Sequence, residues 1–183
     1  MAADPRAGYK TWDPLVRIGH WALVAGVALA WLTREGWRES HEWIGYATLA
    51  LVTLRVAWGL AGPRYARFGQ FVRSPAATLR YAGEVLRREE PRYLGHNPLG
   101  GWMVLALLAA VAATGFTGWL YTTDAYWGEE WLGNLHDALA EVLLVLAALH
   151  VSGVVMASRR HGENLVAAML HGRKRPPSRG DVA

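Results

Sequence analysis

Four stretches of the chain, residues 14–32, 42–62, 100–121 and 135–157, are apolar over about the 20 residues that a helix needs to cross a bilayer. Lipid offers no partner to backbone N–H and C=O groups, so each stretch must close its hydrogen bonds within itself. The expected fold class is therefore all-α, an integral membrane four-helix bundle. The first stretch runs the full span length and lacks a small-residue cleavage site of the A-x-A type. It is expected to stay as a helix rather than be removed as a signal peptide. Residues 1–175 read as a single domain and residues 176–183 as a disordered tail.

Charge orients the bundle. Residues 62–98 carry Arg64, Arg67, Arg73, Arg80, Arg87, Arg88 and Arg92, and the segment after the fourth span carries Arg159, Arg160, Arg173, Lys174, Arg175 and Arg179. The N-terminal flank adds Arg6, Lys10 and Arg17, whereas residues 122–134 hold Asp124, Glu129 and Glu130 and no basic residue. The positive-inside rule puts both termini and the long middle loop in the cytoplasm. Within that loop, residues 75–89 set Leu79, Ala82, Val85 and Leu86 against Arg80, Glu84, Arg87 and Arg88. This pattern predicts an amphipathic helix between the second and third spans, either lying on the cytoplasmic membrane face or serving as a plain soluble connector. Trp12, Trp37, Trp43, Trp127 and Trp131 fall near span ends, where interfacial aromatics gather. The net charge of +4 is spread along membrane flanks, so nucleic acid is not an expected partner.

Histidines give the bundle its chemistry. His136 and His150 are 14 residues apart in the fourth span. That is almost four turns, so they share a face about 21 Å apart along the axis. The topology gives each histidine a depth: His20 and His150 on the cytoplasmic side, His41 and His136 on the outer side. Ionisable residues in a span are costly and call for a function. Two imidazole pairs at two depths predict two haems, His20/His150 holding one and His41/His136 the other. Paired imidazoles saturate iron axially, which suits electron transfer. The chain has no cysteine, which excludes thiolate metal sites, iron–sulfur clusters and covalent c-type haem. A zinc or transport site would want its ligands at one depth with carboxylates nearby.

Small and basic residues extend the picture. Gly45 and Gly153 lie one turn beyond His41 and His150, and Gly115 and Gly118 notch the third span. A porphyrin needs such clearances, as does ordinary helix packing. Arg55 lies 14 residues after His41, on the same face at the cytoplasmic depth. With Arg17 and Arg64 it is a candidate partner for haem propionates.

The runs WDPLVRIGHW, HEWIGYATLALVTLRVAWGLAGPRYARF, YLGHNPLGGWM and LHVSGVV together resemble the bacterial four-helix cytochrome b561 family. That group is related to the b-type cytochrome subunits of nickel–iron hydrogenases and formate dehydrogenases. The resemblance spans about residues 10–175. It implies two b haems, the same ligand scheme, and electron exchange with the quinone pool. It also implies a quinone site near the cytoplasmic haem, at Asn97 with His96 and Gly100 beside it. A helix N-cap is the plainer reading of Asn97.

The expected function is transmembrane electron transfer between the quinone pool and a redox partner, in the bacterial inner membrane. A separate dehydrogenase or a c-type cytochrome would serve as that partner, and a homodimer is compatible with it. Two alternatives stand beside it: a self-contained quinol oxidase that reduces oxygen to superoxide, and a histidine-site metal transporter.

Overall fold

A computed structural model describes residues 8–182. The elements, in chain order, are β1 (Tyr9–Lys10), α1 (Pro14–Thr33), α2 (Arg38–Ala61), a 3-10 turn (Arg64–Ala66), α3 (Phe68–Phe71), α4 (Pro75–Arg87), α5 (Pro98–Tyr121), α6 (Glu130–His161), α7 (Leu165–His171) and β2 (Arg173–Lys174). Helices α1, α2, α5 and α6 are long and apolar enough to cross a membrane. The protein is an all-α membrane bundle, with one short strand pair among the described residues.

The spans outrun their apolar cores. α2 opens at Arg38 rather than residue 42, with Arg38 and Glu42 ion-paired at 2.8 Å one turn apart. α6 starts at Glu130 rather than 135 and continues to His161 rather than 157. Glu130 in its first turn and Arg159, Arg160 and His161 in its last complement the helix dipole. Counting apolar residues cannot see these polar turns. Gly162, at φ +58°, ends α6, and the Glu163 amide returns to the Ser158 carbonyl at 3.0 Å, a Schellman closure.

The chain divides into two compact units. Within the described residues, the first takes residues 8–17, 58–104 and 150–182, and the second takes Ile18–Ala57 and Leu105–Leu149. In the second unit, Val52, Ala110, Val111 and Leu143 form a buried cluster joined by Leu23, Val27 and Leu107. Large apolar side chains point away from it: Leu54 is 65% exposed and Val145 60%. Lipid rather than water suits such a surface. Trp37, Trp43, Trp127 and Trp131 are exposed, as belt aromatics should be.

The first unit centres on Trp12, Val16, Ala66 and Ala168. Trp12 is thus a core residue and not an interfacial one. The Gly172 carbonyl accepts from the Thr11 and Trp12 amides, at 3.0 and 3.1 Å, and holds Trp12 in place. Gly172 has φ +82°, and a Cβ there would meet the Trp12 carbonyl oxygen at 2.8 Å. Only glycine fits both demands. Beside it, β1 and β2 pair antiparallel, Tyr9 opposite Lys174 and Lys10 opposite Arg173.

α4 occupies the predicted amphipathic segment. Ser74 caps it by accepting from the Ala77 amide, and Arg88 ends it in the left-handed region at φ 61°. Tyr81 is its buried contact, edge-on to Tyr93 at 5.5 Å. Leu79 and Leu86 are exposed, the posture of a helix resting on lipid.

The tail does not follow the expectation of disorder. Buried Arg92 donates to both carboxylate oxygens of Glu163, at 2.8 and 3.3 Å, to Asp181, and to the Arg175 carbonyl at 2.9 Å. The Leu94 amide donates to the Val182 carbonyl and the Val182 amide to the Arg92 carbonyl, both at 2.9 Å. One buried guanidinium thereby binds residues 163, 175 and 181. Burial would raise the Glu163 pKa, but the hydrogen bonds from Arg92 and the Arg175 amide hold it below its ordinary value.

Lys174, 6% exposed, donates to the Tyr93 and Gly95 carbonyls at 3.2 and 3.3 Å. Burial lowers its pKa from 10.5 to about 8, against a raising pull from Glu163.

Two outcomes are expected. Arg92→Met takes the ion-pair partner from two buried carboxylates, which keep only main-chain hydrogen bonds, a loss that in other proteins costs about 3–5 kcal/mol. Release of the tail relieves that cost, so hydrogen-exchange protection should vanish at the Arg175 and Val182 amides. For Lys174, the unfolded chain keeps a proton between pH 8 and 10.5 that the folded chain has released, so stability rises with pH there. The thermal midpoint should climb from pH 7 to pH 9.5, and Lys174→Met should remove the climb.

Candidate functional site

His41 lies in the first turn of α2 and His136 in the second turn of α6, both in the second unit. Their ring centres are 6.1 Å apart and their planes are nearly perpendicular, at 84°. His41 Nδ1 is 2.9 Å from the Ala30 carbonyl oxygen. His136 Nδ1 is 3.0 Å from the Thr114 carbonyl oxygen and 3.2 Å from Thr117 Oγ1. A carbonyl only accepts, so Nδ1 carries the proton in both rings. Each Nε2 is left with its lone pair, the state that a metal ligand requires.

Helix geometry prepares this pair. A Cβ on Gly118 would come within 2.9 Å of the His136 ring, so α5 admits the imidazole only because residue 118 is glycine. Gly115 similarly accommodates Leu49, at 3.3 Å. The two notches of the third span therefore take side chains. Gly45 and Gly153 differ: a Cβ on either would meet nothing within 4 Å. Tyr46 and Thr122 share a hydrogen bond of 2.9 Å that ties α2 to the end of α5.

His20 is half-buried on α1, edge-on to Trp21 with ring centres 5.2 Å apart. His150 is half-buried on α6. The first falls in the second unit and the other in the first unit. Arg55 is half-buried in α2. Arg64 is exposed, its guanidinium 5.6 Å from the Tyr65 ring centre. Arg17 donates one nitrogen to the Leu170 carbonyl at the end of α7. Its Nε is buried without a hydrogen-bond partner among the described residues.

The segment before α5 is also ordered. Asn97 Oδ1 accepts from the Gly100 amide at 2.7 Å, so Asn97 is the N-cap of α5, with Pro98 in the first position. His96 lies between Trp12 and Phe71, its ring centre 4.7 and 4.5 Å from theirs. Two of the three residues considered for quinone thus bond to each other, and the third is sandwiched by aromatics.

A family model described as prokaryotic cytochrome b561 matches residues 11–172. The chain belongs to this family. No curated relative and no solved structure matches it. Membership makes the protein a multi-pass membrane cytochrome that binds b-type haem and carries electrons across the bilayer.

The residues present fit such a group. Two imidazoles on opposite sides of one metal, each bonded at about 2.0 Å, have ring centres about 6.3 Å apart. The His41 and His136 separation of 6.1 Å is close to that value. Their main-chain anchors are the outer-shell contacts that metal-bound histidines show. The buried, unpartnered Nε of Arg17 suits an anionic propionate. No cluster of three or more His, Cys, Asp or Glu side chains that could hold a metal ion occurs among the described residues.

Sequence reasoning missed Thr117 and the carbonyls of Ala30 and Thr114. Carbonyl partners leave no trace in side-chain identity. Thr117 stands next to Gly118, and that adjacency was the one available signal.

Loss of the α5 cap gives a direct check. Asn97→Ala should cost about 1 kcal/mol of stability, and Asn97→Asp should restore most of it. Thermal unfolding of the two variants would measure this.

Proposed function

We propose that this cytochrome holds two b haems, one between His41 and His136 and one between His20 and His150. It would pass single electrons between the quinone pool and a redox partner across the bacterial inner membrane. The reading is supported by the His41 and His136 pair: two imidazoles with ring centres 6.1 Å apart, each with Nδ1 tied to main chain. The register of His136 and His150 on α6 extends it to a second site about 21 Å along the same helix. Haem b supplies a one-electron couple when bound. The chain supplies ligation, spacing and charge.

Arg17 and Arg55 are proposed to neutralise propionates at the cytoplasmic site, with Arg64 at its margin. Quinol is proposed to approach where α5 begins, beside His96, Asn97 and Gly100. His96 can hand a proton to or from a quinol only through its ring nitrogens, and its place between Trp12 and Phe71 keeps that ring in one orientation.

The purified protein should carry two b haems per chain. His41→Ala and His136→Ala should deplete one component of the reduced-minus-oxidised spectrum, and His20→Ala and His150→Ala the other. Depletion of the same component by His20→Ala and His41→Ala would refute the pairing, and a single haem per chain would refute the two-site reading. Asn97→Ala at full haem content should slow reduction by quinol, and an unchanged rate would remove Asn97 from the quinone site.

A further inference from the structure

The last turns of α6 carry a surface that electron transfer does not explain. Val151, Ser152, Val155, Met156, Arg159 and Arg160 are all exposed, and residues 153–154 and 157–158 between them are less so. The positions repeat every three to four residues, which makes a single stripe along the helix. Its first part is apolar, with Val151 59% exposed and Val155 and Met156 40% each. Its end is a pair of guanidinium groups followed by His161.

A second wall faces this stripe. Arg88 and Glu90, in the segment that leaves α4, line with it a groove of about 780 Å³. Glu90 is the groove's one carboxylate, and Arg160 already holds it at 2.8 Å while also donating to the Val85 carbonyl at 2.7 Å. Arg88 and Arg159 form no salt bridge among the described residues. The groove therefore has uncompensated positive charge at one end and bare aliphatic surface at the other.

We propose that this groove is a resident site for one anionic phospholipid. Guanidinium groups match a phosphate diester in charge and in donor geometry. From Val151 to Arg159 the stripe rises about 12 Å, most of the roughly 15 Å hydrocarbon depth of one leaflet. An acyl chain can thus lie along Val151, Val155 and Met156 while its phosphate reaches Arg88 and Arg159. A zwitterionic headgroup brings its own cation to the same place and gains less. Free phosphate lacks the chain that the aliphatic part would cover.

Native mass spectrometry of the haem-loaded protein tests the site. The protein in mild detergent is equilibrated with phosphatidylglycerol, with phosphatidylcholine of the same chains, or with inorganic phosphate. Retained phosphatidylglycerol should exceed phosphatidylcholine severalfold, and phosphate should neither bind nor compete. The double variant Arg88→Gln/Arg159→Gln should lose at least about tenfold in phosphatidylglycerol retention. Val151→Ser/Val155→Ser should weaken retention without changing the preference for phosphatidylglycerol. Arg73→Gln/Arg80→Gln, which removes two cations outside the groove, should retain lipid as the wild type does. Equal retention of both lipids, wild-type retention in the Arg88/Arg159 variant, or equal loss in the Arg73/Arg80 variant would overturn the proposal. So would displacement of lipid by phosphate, or a dimer that the Arg88/Arg159 variant abolishes with no change in lipid.

Discussion

Two hydrogen bonds from imidazole to main chain set the rotation of helices in the second unit. His41 on α2 reaches the Ala30 carbonyl of α1, and His136 on α6 reaches the Thr114 carbonyl of α5. Each ring is anchored to the helix that precedes its own. A carbonyl cannot be titrated, rotated or mutated away by a side-chain change, so the Nδ1 proton and the ring plane stay fixed. Apolar packing around Val52, Val111 and Leu143 is tolerant of small shifts, and these bonds are not. Gly118 fits the same logic, since any side chain there would push the His136 ring off its anchor.

The first unit solves a different problem. It gathers helix ends and connecting segments, whose polar groups need partners that no regular helix supplies. Asn97 serves one end, Ser74 and Asn164 serve others, and Arg92 serves three separate segments at once. Of these, Arg92 is buried, while Ser74 and Asn164 cap their helices from the surface. This order surrounds His96 and leaves it between two aromatic rings. Side-chain hydrogen bonds thus fix both the imidazole pair and the start of α5.

Much of this was legible in the chain. Apolar length located the four long helices, because lipid permits little else, and the depth of His41 and His136 placed their rings together. What escaped was whatever depends on pairing across the sequence. Arg92 read as one more charge in a basic loop, yet it is buried against Glu163 and Asp181. Composition cannot separate a solvated arginine from a paired one. The tail after Pro176 reads as disordered because its own residues bury nothing, and its order comes from Arg92, 89 residues before Asp181. Trp12 read as a belt aromatic because it lies close to a span, while the closure of Gly172 onto its backbone is invisible without the fold.

The ordered tail has a practical consequence for handling the protein. Val182 exchanges main-chain hydrogen bonds with Arg92 and Leu94, only a few residues ahead of His96 and Asn97. An affinity tag or fluorescent domain inserted next to Val182 would pull directly on that segment. Placed behind a flexible spacer, the same cargo would transmit little force. Fusion design for this cytochrome is therefore a choice about the environment of His96 as much as about purification.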